Sequence, residues 1–88
     1  MLEFYIKRIK ENHLKYLKEK KLLYRLKVTE DVANCVQILL YDIADKLEGK
    51  KHKYSLDYIE SVRDFLTRVT SSFRESNNFV VPPTKTIQ

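Results

Sequence analysis

Glycine is almost missing from this chain: one residue in 88, alongside two prolines, one cysteine, one methionine and no tryptophan. A single glycine, Gly49, excludes the Gly-rich phosphate loops GxGxxG and GxxxxGK[ST], which need several backbone positions free of a Cβ. One cysteine, Cys35, cannot close an internal disulfide, which fits a reducing compartment. The two histidines, His13 and His52, have no Cys or His at ligand spacing, so no metal site is expected. No apolar run approaches the roughly 18–20 residues that span a bilayer. Lys7, Arg8 and Lys10 interrupt the N-terminal apolar stretch before it could serve as a secretory h-region. The expectation is a soluble intracellular protein, with cytoplasm and nucleoid or nucleus equally compatible. No catalytic residue, cofactor or small-molecule substrate is expected, and the chain reads as a non-enzyme under the active-site criteria.

What is present is a helical pattern with lopsided charge. The apolar content of 43% is ordinary for a globular protein. A chain this short is one domain that buries only about 60–65% of its unfolded surface, so its stability is modest. Residues 1–28 hold nine Lys/Arg against three acids, a net of +6, while residues 29–88 hold eight against nine, a net of −1. The whole excess of +5 therefore belongs to one segment. Abundant lysine, tyrosine and isoleucine with scarce alanine is what AT-rich coding produces, so part of that lysine excess is compositional.

The periodicity predicts an all-α fold: a three-helix bundle in residues 1–76, with a long basic N-terminal helix and an extended, proline-containing tail over 77–88. The first predicted helix covers about 2–26, with Leu2, Ile6, Ile9, His13, Tyr16 and Leu23 on one stripe. Phe4, Leu22 and Leu26 lie off that stripe and are expected to meet a partner. The second covers about 30–48, with Thr29 as N-cap and Gly49 at the left-handed C′ position. Its expected buried face is Val32, Val36, Leu39, Leu40, Ile43, Ala44 and Leu47, which makes it the central helix. Asp42, Asp45 and Glu48 read as a solvated acidic face. The third covers about 56–75, opening at Ser55 or Asp57, with Ile59, Val62, Leu66, Val69 and Phe73 in three-four steps. Pro82 and Pro83 force the tail out of helix, and its trio Phe79, Val80 and Val81 reads as partner-binding.

Two binding modes follow. Lys7, Lys10, Lys18, Lys21 and Arg25 fall within about 80° of arc on one 3.6-residue helix, and Lys50, Lys51 and Lys53 add a basic loop. Such cations could contact phosphates or another polyanion. No zinc-finger, RRM, KH or basic-zipper pattern accompanies them, and Arg63, Arg68 and Arg74 are expected to be engaged in intrahelical pairs such as Glu60–Arg63 and Asp64–Arg68. His13 reads as a packed, hydrogen-bonded residue and Cys35 as a small core residue. The expected function is a small helical binding module acting by protein–protein association, either with itself as a homo-oligomer or with an acidic partner. The alternative is sequence-independent nucleic-acid binding through the basic stripe.

Overall fold

The computed structural model describes residues 1–76. The predicted tail, with Phe79, Val80 and Val81, lies outside the described residues. Three helices follow one another: α1 (Leu2–Glu19), α2 (Leu22–Leu47) and α3 (Leu56–Ser76). All-α architecture consistent with a three-helix bundle is therefore as expected, but two boundaries are not.

The long basic N-terminal helix does not exist as one rod. It stops at Glu19, and Lys20 takes the left-handed conformation (φ 57°, ψ 27°) while its N–H still bonds to the Tyr16 carbonyl at 2.7 Å. Lys21 is extended, and α2 begins at Leu22. The predicted first helix over 2–26 thus divides at Lys20–Lys21, and the predicted second helix starts eight residues earlier than Thr29 implied. Thr29 is no N-cap: it lies inside α2, its hydroxyl donating to the Arg25 carbonyl at 2.9 Å. Like charges explain part of the break, because Lys18–Lys21 and Lys21–Arg25 would sit three and four apart on a continuous helix and repel. Cations gathered at the end of α1 instead oppose its negative dipole end.

Cross-helix contacts give the directions. Arg8 meets Asp31 and Lys15 lies over the Tyr24 ring, so α1 and α2 run antiparallel. Glu3 meets Tyr58, Lys10 lies over Phe65, and Tyr16 packs edge-on to Phe73, so α3 runs parallel to α1. The closest backbone approach is between α1 and α2, with α3 standing further off.

At its far end α2 stops as its glycine dictates. Gly49 sits at φ 76°, its N–H bonds to the Lys46 carbonyl, and the Lys50 N–H reaches back to Asp45. This is the Schellman closure that only a residue tolerant of positive φ makes without strain. The third helix opens on Ser55, whose hydroxyl accepts the Tyr58 N–H at 3.1 Å.

The core is Leu2, Ile9 and Tyr16 from α1, Val28, Cys35 and Leu39 from α2, and Val62, Leu66, Val69 and Phe73 from α3. The stripe of α3 is as the three-four spacing predicted. The buried face of α2 is not. Its buried positions are Val28, Asp31, Cys35, Leu39 and Asp42, whereas Val36, Leu40 and Leu47 of the expected face are exposed. Ala44 is exposed too, and Val32 and Ile43 are half-buried. Only Leu39 of that set is fully in the core.

Candidate protein-interaction surface

Two buried aspartates hold α2 in its observed rotation. Asp31 is wholly buried and receives both arms of Arg8, Nε at 3.0 Å and Nη2 at 3.1 Å, while Asn34 donates to it at 3.3 Å. The Arg8 guanidinium also lies 5.0 Å from the Phe4 ring centroid. Bidentate geometry of this kind is the strong form of a charge-assisted hydrogen bond. Asp42 accepts the backbone N–H groups of Lys53 and Tyr54, the latter at 3.0 Å, and so ties down the loop after α2. These N–H donors, with His52 and Lys53 nearby, hold its carboxyl below its ordinary range despite the opposing effect of burial. Asp42 is thus a loop anchor rather than part of a solvated acidic face.

Two other groups stand where they were expected. His13 Nε2 lies 2.7 Å from the Ser72 hydroxyl, which itself donates to the Val69 carbonyl. Desolvation lowers the His13 pKa below its usual value. Cys35 is fully buried, and burial, followed by the nearby Asp31 charge, pushes its thiol up to about 11. Such a thiol is not a nucleophile at neutral pH.

The rotation leaves the more apolar stripe of α2 outside. Leu22, Leu26, Thr29, Ala33, Val36, Leu40, Ile43 and Leu47 recur in unbroken four-three steps over the whole helix. Seven of the eight are apolar and none is charged. Leu22 is 64% exposed, Leu40 59% and Leu47 82%. Between this stripe and α3 runs a groove of about 380 Å³, walled by Val36, Leu40 and Ile43 on the α2 side and by Ile59, Arg63, Leu66, Thr67 and Thr70 on the α3 side. Single exposed leucines on a surface carry no message, but a heptad stripe along 26 residues is the pattern by which helices associate.

The predicted site residues divide accordingly. Leu22 and Leu26 are exposed and belong to this stripe, whereas Phe4, also exposed, is on α1 beneath the Arg8 guanidinium. The five-cation stripe is dismantled: Lys7, Lys10 and Lys18 are on α1, Lys21 is in the junction 3.4 Å from Glu19, and Arg25 is on α2, its guanidinium 5.0 Å from the Phe73 ring centroid. Of the loop lysines, Lys50 pairs with Glu48 at 2.9 Å, Lys53 offers its backbone to Asp42, and Lys51 is exposed. A second groove of about 550 Å³ lies between α1 and α3 and brings Arg68 to Lys7 and Lys10, with Glu3 on the same rim. On α3 the pairing is Arg63 with Asp64 at 3.1 Å, in place of the expected Glu60–Arg63 and Asp64–Arg68 pairs.

Comparison with known proteins returns nothing: no family model, no curated protein and no solved structure matches the chain.

The Arg8–Asp31 pair escaped sequence reasoning, although one signal was available. Val28 and Cys35 are seven apart, and Asp31 falls three after the first and four before the second. That spacing puts Asp31 on an apolar stripe once α2 is extended back to Leu22. Among the described residues, no helix is long and apolar enough to cross a membrane and no cluster of three or more His, Cys, Asp or Glu is placed to hold a metal.

Proposed function

We propose that this chain is a small, non-enzymatic helical binding module that acts by associating with another protein surface through the outer face of α2. One observation carries the reading. The fold buries the stripe of α2 that bears two aspartates and turns outward the one that bears five exposed aliphatics, Leu22, Leu26, Val36, Leu40 and Leu47. Burying a Leu, Ile or Val side chain is worth about 1.5–3 kcal/mol, so a domain built only to fold would gain by the opposite rotation. The cost makes sense where the aliphatic stripe is buried by something else.

Nucleic-acid binding is the weaker reading, because five phosphate contacts along one rod require the rod, and it is broken at Lys20–Lys21. The test is cross-linking of the tagged full chain in its native cell, wild type beside Leu40→Glu, with binding to generic duplex DNA and RNA measured at physiological salt. Discrete adducts that vanish in the variant, with no nucleic-acid binding, are expected. Adducts indifferent to the substitution, together with steeply salt-dependent nucleic-acid binding, would overturn the proposal in favour of the polyanion reading.

A further inference from the structure

We infer that the occupant of the α2 face is a second copy of this chain, its own α2 lying antiparallel in the groove between α2 and α3; the inference rests on the association reading above. Three properties of the face point to a copy. The first is length and phase. A 26-residue helix presents a stripe about 39 Å long, and knobs-into-holes packing needs a partner helix with the same four-three repeat over that distance. The helix α2 itself supplies it.

The second is charge. The chain carries +5 overall, so two copies repel on most approaches, and most directly through the α1 surface bearing Lys7, Lys10 and Lys18. All eight stripe positions of α2 are uncharged, and the one charged residue on the groove, Arg63, is paired with Asp64 of its own helix, so copies meet here with little opposing charge.

The third is side-chain size, which also sets the direction. In an antiparallel pair centred between Asn34 and Cys35, Leu22 lies opposite Leu47 of the second copy. Leu26 then meets Ile43, Thr29 meets Leu40 and Ala33 meets Val36. Each small residue gains a larger one. In a parallel pair Thr29 and Ala33 would each face themselves in adjacent layers and leave them underfilled. Antiparallel helix dipoles favour the same choice. A helix strip about 39 Å by 10–12 Å offers roughly 400 Å², about half of what one side of a stable interface buries. Seating the incoming helix in the groove adds the α3 wall, chiefly the exposed Arg63 and Thr67 and the half-buried Ile59 and Thr70.

The experiment is sedimentation equilibrium of the full 88-residue chain, wild type and variants, with helicity checked by circular dichroism. A dimer is expected, with its dissociation constant raised at least 100-fold by Leu40→Glu. Leu47→Glu, at a position 82% exposed and therefore harmless to the fold, should raise it about tenfold. Direction is read by mixing Leu26→Cys and Ile43→Cys variants under mild oxidation. Native Cys35 is buried and does not compete. The mixed disulfide should dominate; Leu26→Cys linking to itself would overturn the antiparallel arrangement. A monomer at about 1 mM would overturn the second copy as occupant. A dimer indifferent to Leu40→Glu and Leu47→Glu would overturn the inference while leaving association through another surface intact. Cross-linked adducts that survive Leu40→Glu in the cell would fail the underlying reading instead.

Discussion

Removing Arg8 should damage this domain severely, although its side chain is partly exposed. Arg8→Ala leaves Asp31 wholly buried with Asn34 as its one remaining hydrogen-bond partner, at 3.3 Å. Stranding a buried carboxylate costs about 3–5 kcal/mol. The Arg8 side chain is itself 43% exposed, so water can enter the space it vacates, and the low end, about 3 kcal/mol, is expected. For a domain of this size 1 kcal/mol corresponds to about 4–8 °C in melting temperature, so a fall of roughly 12–24 °C should appear in a circular dichroism melt. Part of that loss is packing, since the guanidinium also covers the Phe4 ring. A double-mutant cycle separates the two. Arg8→Met with Asp31→Leu replaces the pair by apolar groups of similar volume, a change that is often neutral or stabilising, and should recover most of the loss. If Arg8→Ala melts within about 4 °C of the wild type, corresponding to about 1 kcal/mol, the pair does not hold α2 in place and the account of its rotation fails.

Three further outcomes are expected. Lys20→Gly should stabilise by about 0.5 kcal/mol, because relief of a left-handed non-glycine residue is worth about 1 kcal/mol and loss of the exposed cation–π contact with Tyr16 about half that; a lower melting temperature would refute the break at Lys20. The folded-state pKa of Asp42 is depressed, so its contribution is full above the unfolded value of about 4 and is lost as pH falls through the folded value. Asp42→Asn should therefore melt lower than wild type at pH 7 and converge with it below pH 4, and a difference that persists in acid would deny the carboxylate its role. Cys35 should resist a thiol reagent in native buffer at pH 7.5 and react at once in denaturant, whereas fast native labelling would place it outside the core.

How far the sequence reaches is clearest on α3. Its stripe Val62, Leu66, Val69 and Phe73 is buried as the spacing predicts, and Ser55 caps it through a local hydrogen bond. At the end of α2, Gly49 adopts the positive φ expected of it. These features were legible because their causes are local: a repeat of one face, a hydroxyl within three residues, a missing Cβ. The junction at Lys20–Lys21 was not, because neither glycine nor proline marks it and lysine is a good helix former.

The rotation of α2 shows the limit of periodicity. That helix carries two apolar stripes, one through Val28, Cys35 and Leu39, the other through Leu22, Leu26, Val36, Leu40 and Leu47, and hydrophobicity alone favours burying the second. By itself the sequence determined helix content, helix number, the core face of α3 and an uneven distribution of charge. Tertiary structure alone decided which face of α2 points inward. A two-residue turn brings α1 back along α2, Arg8 is then opposite Asp31, and a buried charge must be met by its partner, so the stripe containing Asp31 goes inside and the aliphatic one is left facing out.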